Sequence, residues 1–356
     1  MRRIILPQLT FYTALRWVGA LALVLSQSAG ATVVSEDIGE LKIHDLLLRP
    51  SFQLQEPSKG NFSIGESSFA LRWELEQKYA GVIRIGPRSL LNPTARYRPT
   101  VNDDVTLVEA FAEYSDVYGR FRMGRIPIEF GHEGRLWERQ LIFPRSMLYS
   151  KRVMMLRDVG VAYDLTQNSW YTGLSVHNGE SDNDLDSRMW YTARWGFREE
   201  GFEIGMAGQA GSTQPASTKD SADTLAQVDP TINERWRMAG LFAAWTAKEW
   251  EWVIEAYMGE LEQLGDTRKF AAAHTDYSYM FSKHFSAHLR YDYFDPYLRV
   301  DSDKETQISL ALMQSNATHS SNIILVGTKD IVQGSSTHSD KIMLIWSLSP
   351  RGVVRF

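Results

Sequence analysis

Strict alternation of apolar and polar residues recurs along the chain and predicts β-strands whose two faces differ. The alternation is clearest in residues 46–55, 69–76, 189–195, 250–256 and 285–293. One face of these stretches carries large aromatic and aliphatic side chains. The other face carries full charges, namely Arg72, Glu74, Arg194, Glu251, Glu255, Arg290 and Asp292. An apolar exterior around a charged interior is typical of a transmembrane β-barrel rather than of a soluble β-sandwich.

The connections between these strands alternate between short and mostly long. The short ones are 78–81, 115–117, 166–168, 198–201, 247–249, 282–284 and 316–319. The polar stretches between them are 91–104, 130–156, 178–187, 212–234, 260–268, 295–304 and 331–339. Bacterial outer-membrane barrels have short turns at one end and long loops at the other, so this pattern supports the same fold.

Sixteen strands are predicted between the turns. They are 43–55, 62–77, 80–90, 105–115, 118–129, 157–165, 169–177, 188–197, 202–211, 235–246, 250–259, 269–281, 285–294, 305–315, 321–330 and 340–356. We therefore predict an all-β fold, a transmembrane antiparallel β-barrel of about 16 strands within a range of 14 to 18. A barrel of this size is wide enough to enclose an aqueous channel.

The two ends of the chain predict export and membrane insertion. Residues 1–31 combine a basic start, an apolar run too short to span a bilayer, and Ala29-Gly30-Ala31, which fits a signal-peptidase site. An uncleaved membrane anchor is the alternative. Residues 32–356 are then a single barrel domain in the outer membrane of a Gram-negative bacterium. The last strand ends on Phe356, which resembles the signal read by the outer-membrane insertion machinery.

Composition excludes several other classes of protein. Loss of Arg2, Arg3 and Arg16 with the signal peptide leaves 35 basic and 43 acidic residues, a net charge of −8, which disfavours nucleic-acid binding. The chain has no cysteine, so it has neither disulfides nor thiolate metal sites. No metal site and no cofactor is predicted.

One segment departs from this acidic balance. Between residues 120 and 157 the basic residues are Arg120, Arg122, Arg125, Arg135, Arg139, Arg145, Lys151, Arg152 and Arg157. Only Glu129, Glu133 and Glu138 oppose them, which leaves a local charge of +6. A long loop without regular structure is usually functional, and its apolar residues would let it fold inward against the barrel wall. Arginines at the resulting constriction would attract anions. Binding of lipopolysaccharide by the same residues, or ion pairing with the three glutamates, remains open.

Three stretches of this region resemble the phosphate-selective porin O and P family. They are FRMGRIPIEFG (121–131), RQLIFPRSM (139–147) and LRDVGVAYDL (156–165). The matching positions are Gly124, Arg125, Pro127, Phe130, Gly131, Arg157, Asp158 and Gly160. Ile128-Glu129 separates Pro127 from Phe130, where the family tends to place Phe directly after Pro. The resemblance covers about Val108 to Leu165 and implies a homotrimeric diffusion channel of sixteen strands.

Further polar residues share the inward face of two neighbouring strands. His274 belongs to one and His288 to the next, close to Ser278 and Ser286. A hydrogen-bonded lining is one interpretation, and a hydrolase triad is another. Taken together, the sequence predicts a non-enzymatic porin for small hydrophilic solutes that prefers phosphate-like or carboxylate anions. Its partners are membrane lipid, lipopolysaccharide and the solutes in transit. An outer-membrane hydrolase and a non-conducting surface-binding barrel are the alternatives.

Overall fold

The computed structural model describes residues 40–55, 59–91, 105–151, 153–179, 188–213, 234–263, 265–300, 302–316, 318, 320–333 and 339–349. The predicted signal peptide, Arg152 and Phe356 lie outside these residues. Within the described part of the chain, no helix is both long and apolar enough to cross a membrane.

Eighteen strands make up nearly all of the regular structure in the described part of the chain. They are β1 (Glu40–Leu47), β2 (Ser51–Gln55), β3 (Lys59–Ser63), β4 (Ser68–Leu75), β5 (Tyr79–Pro87), β6 (Val105–Asp116), β7 (Gly119–Pro127), β8 (Arg157–Gln167), β9 (Trp170–His177), β10 (Trp190–Glu199), β11 (Phe202–Thr213), β12 (Glu234–Thr246), β13 (Trp250–Gln263), β14 (Asp266–Met280), β15 (Phe285–Asp295), β16 (Glu305–Ser315), β17 (Ser321–Val332) and β18 (Ser339–Leu348). Among the described residues, the helical pieces are one turn of α-helix, α1 (Met147–Ser150), and three 3₁₀ turns at Arg88–Leu90, Glu133–Arg135 and Glu138–Gln140.

Antiparallel pairing connects these strands into one closed sheet. Each strand from β4 to β18 pairs with the next one along the chain. The last strand, β18, pairs with β2, and β1 pairs with β4 on the other side. Leu48, between β1 and β2, exchanges two backbone hydrogen bonds with Leu348. Through the β1–β4 pair, the Leu48–Leu348 bonds and the β18–β2 pair, the pairing returns to its start, so most of the strand edges that an open sheet would expose are paired.

The predicted antiparallel barrel is confirmed, although the number of strands differs. The predicted strands 43–55 and 62–77 are each divided into two, giving eighteen instead of sixteen. Pro50 has no backbone N–H and interrupts the first of them. In the second, Gly65 has a φ of +61°. Its Cα lies against the Arg49 carbonyl, so a side chain at this position would collide with that oxygen.

The connections define two ends of the barrel, which we call the short-turn end and the long-loop end. The short turns lie where they were predicted, for example at 117–118, 168–169 and 200–201. The predicted long loop at 260–268 is wrong, because β13 and β14 continue to a two-residue connection that includes Gly265. Its polar residues form cross-strand ion pairs on the outer face, such as Arg237–Glu260 at 2.6 Å.

The outer face is apolar over most of its height. Leu241, Leu310, Leu325 and Leu344 are among the large hydrophobic residues that point away from the lumen and are exposed. Aromatic side chains line the short-turn end of this face, where Trp170 stacks on Trp195 with ring centroids 4.8 Å apart. This distribution fits a lipid-facing band with an aromatic girdle.

The lumen holds the third long loop, residues 128–156, which packs against the inner wall. Met147, Leu148, Tyr149 and Met154 of the loop are buried in a cluster with aromatic residues of the wall, namely Tyr171, Trp190, Trp236, Phe242, Tyr257, Phe270 and Phe294. Phe143 packs on the inner face of β16 to β18. Tyr171 and Trp236 lie near strand ends, where an outer girdle would place aromatic residues, but both point inward and are buried.

Candidate functional site

The chain turns into the lumen directly after β7. The Ile128 amide donates to the Leu156 carbonyl at 3.0 Å, which fixes the two ends of the loop together. Gly131 then adopts a φ of +66°. A side chain there would collide with the Tyr257 hydroxyl and the Glu255 carboxylate. The glycine therefore permits close contact between the loop and β13 on the inner wall.

Glu133 attaches the centre of the loop to the opposite wall. Its carboxylate lies 3.1 Å from Arg290 of β15 and accepts a 2.6 Å hydrogen bond from the Ser146 hydroxyl. Burial disfavours the charged form of Glu133, but the positive charge of Arg290, followed by that of His274, outweighs burial and lowers the pKa from 4.5 to about 2. Glu133 is therefore a charged anchor of the loop rather than a titrating group at neutral pH.

A second anchor joins the loop to the wall at Glu138. Arg157 bridges Glu138 and Glu109, with N–O distances of 2.8 and 3.0 Å. Arg145 lies 3.3 Å from Glu138 and donates to the Leu136 carbonyl at 2.7 Å. Burial opposes ionisation of Glu138, but the nearby arginines hold its pKa well below the usual range. Arg145 and Arg157 therefore fix the loop in place and are almost fully buried.

Five other basic residues of the segment also form ion pairs, mostly with carboxylates of the wall. Arg135 contacts Glu203 at 2.5 Å, Arg139 contacts Asp45 at 3.2 Å, and Lys151 contacts Glu305 at 2.5 Å. Arg120 and Arg122 both reach Glu129 and Asp164. Arg125 instead has the outward register of Phe121 and Met123, and donates to the Leu107 carbonyl at 2.7 Å.

These contacts bear on the alternatives that the sequence left open. The loop lies inside the lumen, yet seven of the predicted basic residues have carboxylate partners there. The partners include Glu129 and Glu138, as the ion-pair alternative expects, but most come from the strands: Asp164 from the neighbouring β8, and Asp45, Glu109, Glu203 and Glu305 from β1, β6, β11 and β16. Ion pairing and an inward loop therefore occur together rather than as alternatives.

At the short-turn end, a cavity of about 500 Å³ lies between the loop and the inner wall. We call it the basic cavity, because Arg120, Arg135, Arg194 and Arg198 line it together with Tyr171. Around it, five guanidinium groups, counting Arg122, form ion pairs with only three carboxylates. These carboxylates are Glu129, Asp164 and Glu203. Asp116 at the rim offsets part of this positive surplus.

The remaining predicted lining residues have the inward register but form separate groups. Arg72 bonds to Glu74 at 2.7 Å and to Glu113 at 2.8 Å. On β13 to β15 the lining is acidic around Arg290, with Glu255, His274 and Asp292 close to the loop. Glu255 accepts from the Glu133 amide at 2.5 Å, and Asp292 accepts from the Met147 amide at 3.4 Å. Glu251 lies at the exposed, short-turn end of β13.

His288 lies between two serines. Its Nε2 is 2.7 Å from the Ser286 hydroxyl and its Nδ1 is 2.7 Å from the Ser278 hydroxyl. Asp276, the carboxylate that a triad would use, binds Arg290 through both oxygens at 2.5 Å. The serine hydroxyls therefore occupy both ring nitrogens, and the carboxylate that would orient the histidine is held elsewhere.

Several residues of the basic cavity were not predicted. Arg198 shares the inward parity of Arg194 four residues earlier, so alternation along β10 could have identified it. Tyr171 and Glu203 had no such signal, because their roles depend on which strands are neighbours. Among the residues that the structure describes, no group of three or more His, Asp or Glu side chains is arranged to hold a metal ion.

A closed antiparallel sheet with an apolar exterior and an internal loop is the fold of outer-membrane porins. Solved structures of outer-membrane proteins superpose on this chain. OmpT, an outer membrane protein of Vibrio cholerae solved in a trimer form, superposes with a TM-score of 0.65 at 11% identity over 88% of this chain and 100% of that chain. An anion-selective porin from Comamonas acidovorans superposes with a TM-score of 0.62 at 11% identity, over 88% of this chain and 99% of that porin. The outer membrane channel DcaP of Acinetobacter baumannii superposes with a TM-score of 0.62 at 11% identity, over 90% of this chain and 100% of that channel.

At identities this low, the likeness shows the fold alone. Neither a protein-family model nor a curated protein sequence matches the chain. The resemblance to the phosphate-selective porins therefore rests on the matching residues between Val108 and Leu165.

Proposed function

We propose that the protein is an outer-membrane porin through which small hydrophilic solutes diffuse, with a preference for anions. The observation that carries the proposal is the inverted distribution of side chains, with an apolar outer face around a charged lumen. Such a barrel is stable in lipid and encloses water. The third loop narrows this path because it is anchored to the wall at Glu133 and Glu138.

Anion preference is proposed from the basic cavity rather than from the whole charge of the loop. Most loop arginines are neutralised by carboxylates, whereas the basic cavity retains a surplus of guanidinium groups at one mouth of the lumen. Fixed positive charge in a narrow, partly desolvated path lowers the energy of an anion more than that of a cation. The anion-selective porin with the same fold is consistent with this choice.

Location and assembly form part of the same proposal. The barrel lies in the outer membrane of a Gram-negative bacterium, after export through a cleaved signal peptide at residues 1–31. Membrane lipid and lipopolysaccharide contact the apolar band and its rim, and three copies associate into a homotrimer. Support for the trimer comes from the trimer form of the Vibrio cholerae protein and from the family resemblance.

Planar-bilayer recording tests the proposal. Purified protein is expected to give stepwise increases in current. Under a KCl gradient, the reversal potential is expected to lie closer to the equilibrium potential of chloride than to that of potassium. Replacing Arg120 and Arg198 by glutamine should move that potential towards the cation side, since both side chains are half-exposed in the basic cavity. A protein that inserts without passing current would overturn the channel function, and a reversal potential on the cation side in the unmodified protein would overturn the anion preference. An unchanged reversal potential in the double variant would overturn the assignment of that preference to the basic cavity.

A hydrolase remains the second candidate because His288 lies between two serines. A catalytic serine at this site requires that Ser286→Ala or His288→Ala abolish hydrolysis of an ester or peptide substrate by the purified protein. We expect no such activity in the unmodified chain, because Asp276 is held by Arg290.

A further inference from the structure

The basic cavity has the size and the chemistry of a ligand site. Its volume is about 500 Å³. A volume of this size is usual for pockets that bind small molecules. Two guanidinium groups reach the cavity with a large exposed fraction, Arg198 of β10 at 48% and Arg120 of β7 at 40%. Each keeps donors available beyond its ion pairs, because an arginine has five N–H groups.

The back of the cavity is a rigid aromatic floor. The Tyr171 hydroxyl donates to Glu203 at 2.6 Å, which fixes the ring. Arg198, Arg194 and Arg135 surround this ring, with the guanidinium carbons 4.9, 5.6 and 5.7 Å from the ring centroid. Cation–π contacts of this kind hold the arginines in defined orientations, so the site is built before a ligand arrives.

A buried donor at the same place lacks an acceptor. Arg194 lines the cavity with only 7% of its side chain exposed. Its Nη2 atom contacts both Asp164, at 2.8 Å, and Glu129, whereas its Nη1 atom has no hydrogen-bond partner. Leaving a buried charged donor unpaired is unfavourable. A negatively charged ligand next to Arg194 would therefore be favoured by its charge.

We infer that the basic cavity binds a small oxyanion, a carboxylate or a phosphate, with Arg198 and Arg120 as the direct donors and Arg194 behind them. Guanidinium groups recognise oxyanions through paired N–H donors in a plane, a geometry that chloride cannot use. The inference deepens the proposed function, because it names the class of solute that pauses at the short-turn mouth. Binding itself does not require conduction, so the two claims fail separately.

Isothermal titration of the full chain in detergent tests the site with succinate, inorganic phosphate and chloride as probes. Succinate, phosphate or both should bind saturably, and chloride should not. Arg198→Gln and Arg120→Gln should each weaken binding about tenfold, the loss expected for one charge-assisted hydrogen bond. Both residues are half-exposed, and Glu203, Glu129 and Asp164 keep other arginine partners, so these variants are expected to fold.

The matched control is Arg237→Gln. Arg237 is 63% exposed on the outer face and pairs with Glu260, so its loss removes the same charge without touching the lumen. Unchanged affinity in this variant, with weaker binding in the two cavity variants, supports the site. Equal loss in all three variants, equal binding of chloride, or no saturable binding of either oxyanion would overturn it. Saturable binding by a protein that passes no current would support the site and reject the porin function.

Discussion

The charge of the third loop depends on partners far away in sequence. Counting residues 120–157 gives a surplus of +6, which the fold largely removes by placing Asp45, Glu203 and Glu305 against the loop, and Glu109 and Asp164 against arginines of β7 and β8. Deeply buried pairs such as Glu133–Arg290 and Glu138–Arg157 contribute little net stability when formed, but breaking one leaves a buried charge without compensation. At Glu133 and Glu138 the loop is therefore held by pairs that cannot be removed singly without disturbance, whereas Arg139 is half-exposed and its partner Asp45 also pairs with Arg84.

The anchors at Glu133 and Glu138 should release the loop in acid. Both carboxyls have lowered pKa values, to about 2 for Glu133 from an ordinary value of 4.5. A lowered pKa stabilises the attached loop above pH 4.5, and this contribution, on the order of 3 kcal/mol for Glu133, is lost as the pH falls towards 2.

A nitroxide label can follow this release, because the chain has no cysteine and Arg139→Cys on the loop would give a single attachment point. Its mobility should stay constant from pH 7 to 5 and rise below pH 4.5. A label at Lys248→Cys, in a short turn, serves as the control and should show no such rise. Glu133→Gln should give a mobile loop already at neutral pH. Constant mobility down to pH 2 in the unmodified loop would contradict the role of these anchors.

At the scale of elements, alternation predicts which residues face lipid and which face the lumen. Most predicted strands agree with the structure within a few residues, because two-residue periodicity follows directly from strand geometry. Alternation did not predict three features of the structure. Pro50 and Gly65 divide two strands, the ion pairs of β12 and β13 resemble a polar loop, and the inward aromatic residues resemble a membrane girdle. The last two depend on neighbouring strands, which a single sequence does not display, whereas Pro50 is a local interruption of its strand.

The assignment of faces predicts that two arginine substitutions on β16 differ in their effect on the free energy of unfolding. Leu310 points outward and is 55% exposed. Leu310→Arg would therefore place a charge in lipid and reduce the free energy of unfolding by about 2–4 kcal/mol. Gln307→Arg faces the lumen beside Asp330, which the glutamine contacts at 2.6 Å, and should have little effect. Urea titration of both variants in phospholipid vesicles measures the difference. Equal stability would show that the faces are assigned incorrectly.

At the scale of the whole molecule, the sequence predicted a barrel and an inward loop, and the fold agrees. It could not predict how the lumen is divided. Basic groups collect near β7 to β10 and acidic groups near β13 to β15, and the loop contributes Arg135 to the first and Glu133 to the second. This division arises from the closure of the sheet, which brings together residues more than one hundred positions apart.

Single-channel conductance tests the central claim, that the barrel is a channel narrowed by its third loop. The recording compares the unmodified chain with a variant in which residues 133–150 are replaced by a short Gly-Ser linker, after circular dichroism confirms that both contain the same β-structure. We predict stepwise currents from both proteins and a several-fold larger step from the variant, because the loop no longer occupies the lumen. Absence of steps in both, or equal steps in the two proteins, would contradict the account.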